Sequence, residues 1–318
     1  MIYPATDITI QQAAEALKQG SVVAFPTETV YGLGANAFDR LAVASIFAIK
    51  ERPDFDPLIV HVNSLSMVSM VAATIPPVAM QCMEKFWPGP LTIVLPKKDD
   101  IPDIVTAGLA TVAIRMPLHP VALRLIELAD VPVAAPSANP FGYLSPTTAQ
   151  HVAMQLGTKV AMILDGGKCA VGVESTIIKI ENDEVSVLRY GGIPVEEIEK
   201  ATGLAATSHT TKIEAPGQLP YHYAPQTKIV LVGDIMSVPD DATCGLLLFK
   251  KRHIPHTHIH IMCLSDDGDM RQAAGNLFSC LHTLDALKLK VIYAEQVEEV
   301  GLGRAIMDRL KKAQARFM

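Results

Sequence analysis

The chain has no excess of basic charge. Its 27 Lys and Arg stand against 33 Asp and Glu, a net charge of -6, which excludes a globally basic nucleic-acid binder but leaves room for a local cationic groove. The five cysteines (Cys82, Cys169, Cys244, Cys263, Cys280) are scattered, with no CxxC pair. They read as reduced thiols, mostly buried, rather than a disulfide framework or zinc knuckle. No apolar run approaches the roughly eighteen residues of a membrane span. Met1 is not followed by a charged segment and an apolar run, so no signal peptide is expected and the location is expected to be cytoplasmic. Catalytic signatures are missing too: no GxSxG elbow, no HExxH and no kinase set. The GLG at 32–34 is not a dinucleotide fingerprint, and residues 165–176 lack the spacing of a phosphate-binding P-loop. No nucleophile stands out. Direct transfer in a cationic, hydroxyl-lined cavity fits better than covalent catalysis.

What is present is enough apolar residue, 49% of 318, for one large domain or two ordinary ones. Periodicity predicts helices over 11–20, 41–50, 76–86, 120–128, 147–156 and 195–202. Strands are expected at 21–25, 58–62, 91–95, 111–116, 131–135, 162–164, 176–180 and 185–188. Interleaving without strict βαβ regularity points to a twisted mixed sheet covered by helices. Residues 204–227 lose periodicity and collect Gly, Pro, Ser and Thr, marking a linker, yet Tyr221, His222 and Tyr223 are a heavy load for a passive spacer. Strands at 229–232, 245–249, 258–262 and 291–295, with helices at 270–287 and 302–317, then predict a small three-layer α/β domain. The expected division is 1–203, linker or lid 204–227, and 228–318.

Six clusters could carry chemistry. Lys50 and Arg52 sit at a helix end before Pro53, where they either complement the helix dipole or bind phosphate, Arg in bidentate fashion and Lys as a point charge. His61 ends an apolar strand, as a core residue or a ligand. Arg115, in TVAIRMP, has no acid near it in sequence, so it reaches solvent at a sheet edge or meets a ligand carboxylate. Residues 135–146 (APSANPFGYLSP) run from a strand into Ser137, Asn139 and Ser145, a capped turn that can also present hydroxyls to an anion. Residues 165–176 form a glycine-rich loop ending at Ser175, and Arg189 follows in VSVLRYGG. His256, His258 and His260 alternate. A solvated edge strand is the reading, no metal is assigned, and elemental analysis would test the alternative.

These motifs, in this order, resemble the YrdC-type threonylcarbamoyl-adenylate synthase family. FPTETVYGLGANA, Lys-x-Arg-Pro…Pro-Leu-x-x-His over 50–61, AIRMP, PSAN, EST and LRYGG carry the likeness over about residues 5–203. The APGQLPYHYAP linker and the tail resemble the longer members, which carry a small C-terminal Rossmann-like domain. The resemblance implies a nucleotidyl transfer. The amine of L-threonine takes up CO2 from bicarbonate, the carbamate attacks the α-phosphorus of ATP with Mg2+ present, and pyrophosphate leaves. A downstream threonylcarbamoyl-transferase complex would carry the group to adenosine 37 of tRNAs reading ANN codons.

By the family pattern, Thr29, Tyr31, His61, Arg115 and Ser175 would meet threonine, with Arg115 on its carboxylate. Lys50, Arg52, Asp56, Thr111, Ser137, Asn139, Ser145, Arg189 and His222 would meet ATP, Lys50 and Arg52 being catalytic and His222 closing from the linker. Two positions depart from it: Glu51 stands where members often have Gly, and Ala135 where they have Thr or Ser. Glu51 would add negative charge beside the phosphate cations.

Two rival readings remain. One is an RNA-binding module with direct tRNA contact, discriminated by threonine-dependent pyrophosphate release without RNA. The other is a carbamoyl-transfer domain of the hydrogenase-maturation type, whose paired cysteines this chain lacks.

Overall fold

A computed structural model describes residues 1–182, 184–208, 213–255 and 259–318. Strands β1 (Ile2–Pro4), β2 (Val23–Phe25), β3 (Gly32–Asn36), β4 (Ile59–His61), β5 (Leu91–Pro96), β6 (Thr111–Arg115), β7 (Val133–Ala134), β8 (Met162–Asp165), β9 (Thr176–Glu181), β10 (Glu184–Arg189) and β11 (Ala206–Thr207) form one mixed sheet. Their order is β1-β8-β2-β3-β7-β4-β6-β5-β9-β10-β11. Helices α1 (Asp7–Lys18), α2 (Arg40–Lys50), α3 (Leu65–Val71), α4 (Pro77–Phe86), α5 (Asp103–Thr106), α6 (Pro120–Ala129), α7 (Ala149–Leu156) and α8 (Val195–Thr202) accompany it. The expected mixed sheet with covering helices is present.

The alternation of three central strands separates two environments. Val60, Ile93 and Ile114 belong to the large core shared with the helices. Ile59, Val94 and Ala113 point the other way, into a small cluster with Ile177, Leu188 and Ala215. Ala215 comes from the 204–227 segment, so that segment crosses the sheet face which the strands leave open.

A second sheet holds β12 (Lys228–Val232), β13 (Cys244–Lys250), β14 (His260–Ser265) and β15 (Val291–Glu295), all parallel, in the order β12-β15-β13-β14. Helices α9 (Met270–Ala286) and α10 (Leu302–Ala315) pack with Ile229, Leu247, Leu264, Ile292 and Ala294 in one core. Ile235, Leu246, Leu248, Ile254 and Ile259 fill another.

Several boundaries differ from expectation for local reasons. α1 starts at Asp7 because Thr6 and Thr9 form a reciprocal capping box. β3 reads GLGAN, too rich in glycine to predict as a strand, yet a Cβ at Gly34 would come within 2.7 Å of both Phe25 and Val133. Only glycine lets β3 lie between those side chains. β1, α3, α5 and β11 are too short for a periodic signal. β14 begins at His260, which is exposed; His256 and His258 lie outside the described residues.

Candidate active site

Register decides what the open sheet face carries. β4 and β6 run parallel with His61 opposite Arg115, so both side chains emerge side by side. β9 and β10 are antiparallel, and Arg189, opposite Ile177, lies beside the start of β9, where Ser175 precedes it. The loop after β7 brings Ser137 across to Gly32. Together with Thr29, Arg52, Glu174 and Pro216, Gly217, His222 and Tyr223 of the linker, these residues line a cleft of about 540 Å3, counted out to its solvent-open mouth.

Three guanidiniums reach the cleft wall, each fixed by buried acceptors. Arg52 donates from Nε to the Asp56 carbonyl at 3.1 Å and from NH2 to that of Pro57 at 2.8 Å, and pairs with the Asp56 carboxylate at 2.9 Å. Arg189 donates from Nε and NH2 to the Ser175 carbonyl and from NH1 to that of Pro216. Arg115 donates to Thr29 Oγ1 at 2.8 Å and lies 2.5 Å from the Glu28 carboxylate. The acid absent from the neighbourhood of Arg115 in sequence is therefore Glu28, 87 residues away. Its second oxygen, Oε2, is buried without a hydrogen-bond partner. With Arg52 paired to Asp56, Arg115 to Glu28 and Glu174 to Arg309, Arg189 is the lining arginine that no carboxylate neutralises among the described residues.

Glu174 is itself engaged on both oxygens, by Ser145 Oγ at 2.5 Å and Arg309 Nε at 2.8 Å. Burial opposes its charge, but Arg309, Arg189 and the Ser145 hydrogen bond outweigh burial and hold its pKa below the ordinary range. Burial, reinforced by Arg115, pushes His61 down to about 3. Burial and then Arg52 and Lys50 push His222 well down as well. Both imidazoles are neutral at pH 7, and the Nδ1 of each has no partner.

Of the residues expected to bind, Thr29, His61, Arg115, Ser175, Arg52, Ser137, Arg189 and His222 line the cleft. The others stand behind it or away from it. Lys50 is 1% exposed, and its amine caps the carbonyls of Ser137 and Asn139, holding the loop after β7; burial lowers its pKa strongly. Tyr31 Oη donates to the Gly167 carbonyl at 2.8 Å, which turns it away from the cleft. Asp56 serves Arg52, and burial pushes its carboxyl up. Asn139 Nδ2 donates to the carbonyls of Pro140 and Tyr143, Ser145 reaches Glu174, and Thr111 opens β6 opposite Pro96.

Glu51 does not face the phosphate cations. It is the left-handed C-cap of α2, φ 54°, exposed and paired with Lys159 at 2.8 Å. A glycine would suit that backbone, and the departure costs strain rather than electrostatic repulsion in the cleft.

Sequence reasoning missed Glu28, Glu174 and Arg309, and it marked Tyr223 only as an unusual linker residue. Glu28 adjoins Thr29, and the unpaired Arg115 called for an acid. Glu174 sits inside the EST motif. No sequence signal marks Arg309.

A mixed sheet whose open face holds three arginines, neutral histidines and buried hydroxyls under a linker defines an α/β protein with an arginine- and hydroxyl-lined cleft. Residues 15–191 match the family model Sua5_yciO_yrdC, described as "Telomere recombination", and residues 193–315 match "Threonylcarbamoyl-AMP synthase, C-terminal domain". The threonylcarbamoyl-AMP synthase of Pyrococcus abyssi is 44% identical over 96% of this chain and 93% of its own length; that of Bacillus subtilis is 39% identical over the same shares. The crystal structure of P. abyssi Sua5 complexed with L-threonine superposes with a TM-score of 0.89 at 41% identity, covering 99% of this chain and 96% of that one. The chain belongs to the threonylcarbamoyl-AMP synthase family.

Proposed function

We propose that the chain condenses L-threonine, bicarbonate and ATP into threonylcarbamoyl-AMP and pyrophosphate. The observation that carries this reading is the cleft itself. Arg115 is bonded to Thr29 and stands opposite His61 in the register, Ser175 is bonded to Arg189, and Arg52, Ser137 and His222 line the same cleft. Arg115 takes the threonine carboxylate while keeping its contact with Glu28. The carbamate oxygen then attacks the α-phosphorus of ATP, the bond to the β-phosphate oxygen breaks, and pyrophosphate carries the electron pair away. Arg52 and Arg189 stabilise the charge that grows on the phosphoryl oxygens. Lys50 acts on the nucleotide by fixing the 137–139 loop.

The unstable carbamate needs a site that excludes water. The linker supplies that cover: Ala215 is buried in the sheet-face cluster, Gly217 and His222 line the cleft, and Ala224 donates to the Gly142 carbonyl at 2.9 Å. Because residues 215–224 lie over the cleft, we read the linker as a lid that opens to admit ATP.

Among the described residues, no group of three or more His, Cys, Asp or Glu is placed to hold a metal ion. Glu174 has both oxygens engaged. The cleft residues do not form a Mg2+ cage; a Mg2+ ion arriving with ATP would be held chiefly by the nucleotide's own phosphates. The product is passed to a threonylcarbamoyl-transferase acting on tRNA, and the site lies in the cytoplasm.

The test is pyrophosphate release from ATP and bicarbonate without RNA, comparing L-threonine, L-serine and no amino acid. Release that depends on L-threonine is expected. An equal response in all three arms overturns the reading.

A further inference from the structure

α10 carries Arg304, Asp308, Arg309 and Lys312, and Arg316 follows at its C-cap. Arg304 pairs with Glu196 at 2.6 Å, Lys312 donates to the Gly217 carbonyl at 2.6 Å, and Arg316 lies 4.5 Å over the Tyr143 ring. Asp308 pairs with Lys312 and Arg309. Arg309 goes furthest. Its side chain has no exposed surface, and its guanidinium meets three segments of the cleft region at once: Glu174 Oε2 at 2.8 Å, the Tyr190 carbonyl at 2.9 Å and the Tyr223 ring at 4.6 Å.

Glu174 also lies close enough to Arg189 to shift its titration, and Arg189 holds the neighbouring Ser175 carbonyl. Were Glu174 not held by Arg309, the nearest cation for its buried carboxylate would be Arg189. That pairing would place a negative charge on the group that has to meet the nucleotide, and it would release Ser145 and Ser175 from their present positions.

We propose that Arg309 is a positioning residue for nucleotide binding: by holding Glu174 on the far side of the wall, it leaves Arg189 without a carboxylate partner, its charge available to the ATP phosphates, and keeps Ser145 in place. The C-terminal domain thereby completes the nucleotide half of the cleft without touching ATP. The inference rests on the reading that the cleft takes ATP. It explains why a separate domain buries an arginine against an active-site wall where an apolar side chain would pack at lower desolvation cost.

ATP binding to the full chain, measured by calorimetry, and steady-state pyrophosphate release decide it. The variants are Arg309→Met, Arg309→Lys, the double variant Arg309→Met with Glu174→Gln, and Arg304→Ala as a contact of the same helix that does not reach the cleft. Arg309→Met is expected to weaken ATP binding and raise the KM for ATP by about tenfold or more, with the KM for threonine changing about twofold or less. Glu174→Gln in the same chain is expected to recover most of that loss, because the stray charge is gone. Arg304→Ala is expected to leave both constants as in the wild type.

Unchanged ATP binding in folded Arg309→Met overturns the proposal. So does an equal loss in Arg304→Ala, which would mean simple interdomain adhesion, or the absence of any recovery in the double variant. Should Arg309→Met fail to fold, Arg309→Lys keeps a buried cation without the fork needed to hold Glu174 and Tyr190 together, and must show the same selective loss of ATP affinity. A wild type that binds ATP but releases no pyrophosphate in response to threonine overturns the proposed reaction, while the binding comparison still decides the role of Arg309.

Discussion

Arg115 NH2 lies 2.5 Å from Glu28 Oε1, with the two side chains 4% and 6% exposed. A buried arginine at the end of β6 is thus neutralised before any ligand arrives. The pair spans β6 and the loop after β2, two elements far apart in sequence, and makes the ligand carboxylate a third partner rather than the first.

Glu28→Gln is expected to destabilise the protein by about 3 kcal/mol, because it leaves the Arg115 charge buried without its counter-charge. Urea unfolding monitored by fluorescence measures this. A midpoint unchanged from wild type would contradict the ion pair as described.

Arg52→Ala is expected to lower threonine-dependent pyrophosphate release by on the order of a hundredfold or more, the scale of losing one preorganised charge at a phosphoryl group. Far-UV circular dichroism should keep the helix and sheet signal, since α2 is capped independently by Asp39 at its start and by Glu51 at its end. Turnover at the wild-type rate would remove Arg52 from the reaction.

Gly217→Ala targets the lid. Gly217 has φ +84°, and a Cβ there would stand 2.4 Å from Tyr223 Oη and 2.9 Å from Arg189 Cδ. Both the backbone conformation and the space require glycine. The variant is expected to displace the linker from the cleft and to reduce kcat by on the order of ten- to a hundredfold, while unfolding free energy falls by about 1 kcal/mol. Retained kcat would show that closure does not need this contact.

Stability should fall as pH falls below about 6.5. Burial and Arg115 push His61 down to about 3, and burial pushes His282 down to about 4. His282 stacks on His151 at 3.9 Å between α9 and α7, joining the two parts of the chain. Above about 6.5 these imidazoles are neutral whether folded or unfolded, so they contribute no pH dependence. Between that value and about 4, the unfolded chain binds two protons that the folded chain refuses, and unfolding becomes easier by about 3 kcal/mol per pH unit from these two groups. Urea midpoints at pH 7.5, 6 and 5 measure the slope, and a midpoint that stays level or rises on acidification contradicts it.

The motifs were legible because they are local. Lys50-x-Arg52-Pro53, the 135–146 loop and LRYGG announce polar groups at the ends of strands and helices, where apolar periodicity stops. Most long helices and strands were readable from their spacing for the same reason. The glycine strand β3 was not, because its residues are selected by what packs above and below them, Phe25 and Val133, and not by strand propensity.

The sequence by itself determined the chemistry available: arginines, hydroxyls and histidines in a fixed order along an α/β chain. Tertiary structure alone decided their tasks. Register put His61 beside Arg115, the alternation of β4, β5 and β6 opened one sheet face, and long-range pairing gave Arg115 to Glu28 and Glu174 to Arg309. It also withdrew Lys50 and Tyr31 behind the wall to hold loops. The physical reason is desolvation: a buried charge or hydroxyl takes whatever partner the fold brings within hydrogen-bond reach, and the partners of Arg309 and Tyr31 lie 135 and 136 residues away.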